Sequence, residues 1–106
     1  MTRMNRNKTI LAIETSSNIC GIALIKNGNC INYIDLDASK RHSEILPEMY
    51  KKLQKRTKFV LKNIDALAIS IGPGSFTGLR IGLSFTKGLA FSNNIPIIPV
   101  STMMAL

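Results

Sequence analysis

Residues 9–15 (TILAIET) form an apolar run rich in β-branched side chains with polar neighbours, the pattern of a buried strand. Ser16, Ser17 and Asn18 break it, and a second apolar run follows at 19–25 (ICGIALI). Asn27-Gly28 comes next, a strong hairpin signal because both residues tolerate positive φ. Residues 30–36 (CINYIDL) return as a third strand. A two-residue turn there sets Lys26 against Asn29, Ile25 against Cys30 and Cys20 against Asp35. Side chains alternate faces along a strand. Cys20 and Cys30 then point to opposite sides of the sheet, and the pattern predicts two free, buried thiols.

A polar link over 37–41 leads to 42–57 (HSEILPEMYKKLQKRT). Ile45, Leu46, Met49, Tyr50 and Leu53 recur there at helical spacing, with Lys51, Lys52, Lys55 and Arg56 between them. Pro47 fits this helix if the helix proper starts near Leu46 or if the proline lies in the first turn. Residues 65–71 (DALAISI) predict a fourth strand, ended by Gly72-Pro73-Gly74. Residues 75–93 predict a longer helix with Ser75 as N-cap. Residues 95–100 (IPIIPV) predict a fifth strand whose two prolines suit an edge or a strand start. Residues 101–106 read as the first turn of another helix. The order β-β-β-α-β-α-β predicts an α/β layer on a mixed five-stranded sheet.

Composition narrows the classes. The chain has 106 residues, 45% apolar and 6% aromatic, so it holds one domain with an aliphatic core. The expected organisation is a basic tail over 1–8 and a single domain over 9–106. No stretch approaches the roughly 20 apolar residues of a membrane helix. Residues 9–15 follow a basic start but are too short for a signal peptide, contain Glu14 and run into no cleavage pattern. Two cysteines make neither a disulfide framework nor a zinc site. A cytoplasmic setting is the expectation.

Fourteen Lys and Arg against six Asp and Glu give a net charge of +8. Arg3, Arg6 and Lys8 make the tip basic. From 40 to 62, eight cations (Lys40, Arg41, Lys51, Lys52, Lys55, Arg56, Lys58, Lys62) face only Glu44 and Glu48. This stretch is either an RNA-facing patch or a solvated helix face.

Candidate chemistry is sparse. Glu14-Thr15-Ser16-Ser17-Asn18 can offer backbone N–H groups to a phosphate, or be an ordinary polar turn. Residues 72–80 (GPGSFTGLR) join a strand to a helix, where an anion is favoured. They match neither the Walker A loop nor the dinucleotide fingerprint, so Thr15, Ser16, Gly72, Gly74 and Ser75 are at most a vestigial phosphate loop. Gly78, Gly82 and Thr86 are spaced by four, with Leu79 and Leu89 alongside. Each glycine costs a helix about 1 kcal/mol against Ala, so the stripe predicts a close helix–helix contact, within the chain or between subunits. His42 reads as a polar helix-start residue. No H-E-x-x-H occurs.

The blocks ILAIETS (10–16), RHSEILPEM (41–49), DALAISIGPGSFTGLRIGLSFTKGLA (65–90) and IPIIPVST (95–102) resemble the TsaB (YeaZ) family, with residues 72–89 the most specific. The resemblance spans about 9–106. It implies an actin-like ATPase (ribonuclease H-like) fold and a place in tRNA threonylcarbamoyladenosine modification at position 37. In that family catalysis belongs to a TsaD-type partner, and the TsaB-type chain is a non-catalytic scaffold. The resemblance implies dimerisation through helices 42–57 and 75–93. Leu46, Met49, Tyr50, Leu53, Phe76, Gly78, Leu79, Gly82, Leu83 and Thr86 are the candidate interface residues. It implies a TsaD-type catalytic subunit and a TsaE-type ATPase as partners, a homodimer when alone, and only indirect contact with tRNA.

TsaD-type proteins carry an H-x-x-x-H metal pair after the strand matching IPIIPV. Here those positions are Thr102 and Leu106. Glu14 stands where many nucleotide-binding relatives carry Asp. No metal, no cofactor and no catalysis by this chain are therefore expected. The resemblance also implies a second actin-like domain after the point where this sequence stops, so the expectation is either a fragment or a natural protein reduced to its first domain. The competing expectation is an active enzyme of the same superfamily: a carbamoyltransferase, a small-molecule kinase or a glycoprotease-like protein.

Overall fold

A computed structural model of the chain describes residues 8–37, 41–72 and 76–101. The first three apolar runs form an antiparallel meander: β1 (Thr9–Glu14), β2 (Ile19–Lys26) and β3 (Asn29–Asp37). Asn27 at φ 54° and Gly28 at φ 86° close the β2–β3 hairpin. Their positive φ values match the right-handed twist of the flanking strands. Lys26 pairs with Asn29 and Ile25 with Cys30, as the turn predicts. Beyond Leu24 the register shifts by one residue, so Cys20 faces Leu36 and not Asp35. A β-bulge inserts the extra residue, Ile31, and sequence alternation does not reveal it.

Helix α1 (His42–Thr57) starts where the pattern places it, and Arg41 precedes it without a side-chain cap. The Arg41 carbonyl accepts the N–H groups of Glu44 and Ile45 at 3.1 and 3.0 Å. Pro47 therefore lies inside the helix, past the first turn, contrary to the expectation for a proline. Burial of His42 before it and of Leu46 and Met49 around it holds the turn against that defect. The helix ends at Lys58, a left-handed C-cap whose N–H donates to the Gln54 carbonyl at 2.7 Å. A short 3-10 turn (Leu61–Asn63), not signalled by periodicity, leads to β4 (Ala66–Ser70), α2 (Phe76–Asn93) and β5 (Ile97–Val100).

The sheet order is β3-β2-β1-β4-β5, with β1, β4 and β5 parallel. Pro99 lies on the edge strand β5, where a missing N–H costs least. Both helices pack on one face. There Leu11, Ile13, Cys20, Ile22, Leu24 and Ile34 meet Leu46, Met49 and Leu53 of α1, with Phe85 and Leu89 of α2 against them. The other face is lined by Ile10, Ala12, Ala23, Ile25, Ala66 and Ala68, and no described helical residue joins that cluster. The remainder of the predicted tail (1–7), Pro73, Gly74, Ser75 and the helix start at 102–106 lie outside the described residues.

Both cysteines are free, but only Cys20 is buried. Cys30 is exposed because it sits on an edge strand, on the face away from both helices. Burial pushes the Cys20 thiol up to about 11. Thiolate, not thiol, is the nucleophile. Native protein should accordingly react with one equivalent of a disulfide reagent at pH 8, at Cys30, and with a second only after denaturation. Two equivalents reacting natively would contradict this packing.

Candidate functional site

Buried polar side chains collect at the carboxyl ends of β1 and β4. Thr15, Ser16, His42 and Ser70 are all buried there. In open α/β sheets this end of the strands is the usual ligand crevice. Here the chain fills it with its own groups. Glu14 Oε2 accepts the Ser16 backbone N–H at 2.9 Å and also the Ser16 hydroxyl. Ser70 Oγ donates to Ser16 Oγ at 3.4 Å, and Ser17 Oγ accepts the Ile19 N–H at 3.1 Å. A carboxylate thus already occupies donors that a phosphate would need. Gly72, buried at φ 108°, ends the segment after β4. Gly74 and Ser75 of the predicted loop lie outside the described residues.

His42 is the helix-start residue that the sequence predicts, and it is buried there. It is 3% exposed, and its Nε2 lies 2.7 Å from the Ser17 carbonyl. A carbonyl only accepts, so Nε2 carries a proton and donates it. This bond ties the start of α1 to the β1–β2 turn.

Helix α2 closes over the same junction. A Cβ on Gly78 would lie 2.1 Å from the Thr15 carbonyl oxygen, and one on Gly82 would lie 2.1 Å from Thr15 Oγ1. Thr86, fully buried, bonds its hydroxyl back to the Gly82 carbonyl at 2.7 Å. The small-residue stripe is a close-approach surface, but what approaches is the end of β1. Thr15 Oγ1 is buried there without a hydrogen-bond partner.

Much of the predicted interface is packed inside the chain itself. Leu46, Met49 and Leu53 of α1 are at most 1% exposed, because the helix turns its apolar stripe to the sheet. Gly78 and Gly82 are buried against Thr15 at the end of β1, and Thr86 is fully buried. All six are buried by the chain's own fold, Leu46 at the floor of the groove between the two helices. Tyr50 is half-buried, stacked edge-on against Phe59 (centroids 5.5 Å apart) and Phe85 (5.7 Å), and burial raises its phenol pKa. Leu79 is half-buried and Leu83 is 38% exposed. The Phe76 side chain lies outside the described residues.

The outward surface of the helix pair is elsewhere. A groove of about 590 Å³ runs between α1 and α2, lined by Ser43, Leu46, Pro47, Arg80, Ser84 and Phe85 among others. Along α2, Thr77, Arg80, Ser84, Gly88 and Phe91 follow steps of three and four, which puts them on one stripe. All five are exposed. Phe91 is 90% exposed, and a Cβ on Gly88 would meet nothing within 4 Å. The sequence signal for this stripe was Gly88, a helical glycine outside the Gly78/Gly82 row.

Among the described residues no three His, Cys, Asp or Glu side chains come together. Thr102 and Leu106, outside the described residues, supply no imidazole. Among the described residues no helix is long and apolar enough to cross a membrane.

A model of the family described as TsaD, tRNA N6-adenosine threonylcarbamoyltransferase, matches residues 36–106. The Haemophilus influenzae tRNA threonylcarbamoyladenosine biosynthesis protein TsaB is 37% identical over 101 residues, 95% of this chain and 42% of that protein. Its Escherichia coli counterpart is 39% identical over 97 residues, 92% of this chain and again 42% of that protein. Among solved structures, YeaZ from Pseudomonas aeruginosa superposes with a TM-score of 0.83 at 34% identity, covering 89% of this chain and 44% of that one. The chain thus spans less than half the length of these relatives. The shared five-stranded mixed sheet is the actin-like arrangement that the motifs imply. The chain belongs to the TsaD-type tRNA N6-adenosine threonylcarbamoyltransferase family, within its TsaB (YeaZ) group.

Proposed function

We propose that this chain is a non-catalytic scaffold subunit, the N-terminal actin-like domain over 9–106, in cytoplasmic tRNA threonylcarbamoyladenosine modification. It pairs with a TsaD-type catalytic subunit, forms a homodimer when alone, and works alongside a TsaE-type ATPase. The observation that carries the reading is the outward stripe of α2 beside the α1–α2 groove. It presents a nearly fully exposed Phe91 and a Gly88 whose missing side chain serves no packing inside the chain. Such a surface is stabilised when another helix covers it. The Glu14 carboxylate on the Ser16 donors supports a role without bound nucleotide.

The family description itself favours one alternative, an active transferase. Light scattering behind size exclusion, with metal analysis of the same peaks, separates the two. The expected result is a dimer alone that gives way to a 1:1 complex with the TsaD-type subunit from the same source. A monomer that ignores that subunit, or stoichiometric iron or zinc on this chain alone, would overturn the scaffold reading.

A further inference from the structure

Between Glu48 and Asp65 the chain carries Lys51, Lys52, Lys55, Arg56, Lys58 and Lys62 and no carboxylate. All six are exposed. The ion pair seen on this helix, Arg41 with Glu44 at 2.9 Å, lies at its other end. Arg56 reaches the amide oxygen of Asn32, at 3.4 Å. Favourable interaction with the helix dipole accounts for cations in the last turn, Lys55 and Arg56. It does not account for Lys51 and Lys52, nor for Lys58 and Lys62 beyond the helix.

Lys51 with Lys55, and Lys52 with Arg56, are like charges four residues apart, an arrangement that destabilises a helix. A polyanion lying along this end of α1 would reverse that repulsion. The α1 residues lining the groove against α2 belong to the first half of the helix, Ser43, Leu46 and Pro47. A protein partner seated on α2 and the groove therefore leaves the cationic end open.

We infer that the second half of α1, with the turn through Lys62, binds the phosphodiester backbone of RNA directly, so that the scaffold also holds the tRNA being modified. The inference rests on the scaffold reading for the identity of the RNA, but not for the existence of the contact. It differs from the expectation of indirect contact only.

The test measures binding of an unmodified tRNA transcript to the full chain, alone and mixed with the TsaD-type subunit, across a salt series. The variant K51Q/K52Q/K55Q is compared with R6Q/K8Q/K26Q, which removes the same charge from positions outside both helices. Circular dichroism checks that both remain folded. Each neutralised phosphate contributes roughly 0.7–0.9 to the slope of log K against log salt. The patch variant should bind at least about tenfold more weakly at 0.1 M salt, with the slope reduced by about 2. The control should stay within about twofold of the parent. Equal affinities and slopes for parent and patch variant would overturn the inference. So would a patch variant that loses the protein subunit while keeping its RNA affinity, since the patch would then be a protein contact. A parent chain that binds RNA through the patch but forms no complex would refute the scaffold reading alone.

Discussion

Gly82→Ala should destabilise the chain by about 3 kcal/mol or more, and Thr15→Ala should restore more than half of that loss. Overpacking a well-filled site costs typically about 1–3 kcal/mol. Here the added Cβ would stand 2.1 Å from Thr15 Oγ1 and 3.2 Å from both Thr15 Cβ and Ile69 Cδ1. The gain in helix propensity from Gly to Ala is only about 1 kcal/mol, so the clash decides the sign. Thr15→Ala alone should cost only about 1 kcal/mol. It deletes a buried hydroxyl that makes no hydrogen bond, together with one buried methyl, Cγ2. Combined, the two substitutions remove the Thr15 hydroxyl and Cγ2 and place one new methyl in the space the hydroxyl held.

Gly78→Ala supplies the internal control. Its Cβ would meet the Thr15 carbonyl oxygen, also at 2.1 Å, and no side-chain truncation removes a backbone atom. Urea denaturation of the four combinations gives the coupling energies. The Thr15–Gly82 pair should couple by at least about 1.5 kcal/mol, and the Thr15–Gly78 pair by less than about 0.5 kcal/mol. Equal coupling in both cycles would mean that α2 slides as a body, and that the stripe is not fitted to Thr15.

These glycines also mark what the sequence can and cannot disclose. Spacing by four and the propensity cost of glycine show that something approaches α2 closely. They do not say whose backbone it is. The partner proved to be Thr15, brought in by parallel pairing of β1 with β4, a contact far apart in the chain and invisible to local periodicity. The same limit explains the interface residues. The apolar stripe of α1 was correctly found, but one amphipathic stripe can serve either a sheet or a partner, and Leu46, Met49 and Leu53 serve the sheet. Strand identity, helix bounds and the hairpin turn were legible because they depend on neighbours in sequence. The Ile31 bulge was not, because alternation in CINYIDL suits both registers. His42 was read as the helix-start residue it is, but its bond to the Ser17 carbonyl was not legible, because it joins the start of α1 to a turn that only the fold brings near.

The outward stripe of α2 yields the other large effect, and it is one that separates folding from association. Gly88→Leu should stabilise the isolated chain by about 0.5–1 kcal/mol, because Leu is a good helix former and a side chain there has open space. Phe91→Ala should change stability by less than about 0.5 kcal/mol, since a ring 90% exposed contributes little to the core. If the stripe is the partner surface, both should weaken association. An aromatic anchor truncated at the centre of an interface costs about 2 kcal/mol or more, so Phe91→Ala should raise the dissociation constant at least about 30-fold. Leu at position 88 should act more strongly still, by keeping a neighbouring helix from close approach. Sedimentation equilibrium of the chain alone, and titration with the TsaD-type subunit, read these constants directly. Asn93→Ala, exposed at the end of the same helix and off the stripe, should leave association within twofold. Unchanged constants for both variants would place the partner surface away from this stripe, and the glycine at 88 would then have no packing explanation. A stabilised monomer that no longer associates is the outcome expected, because Gly88 weakens the helix for a contact the chain cannot make with itself.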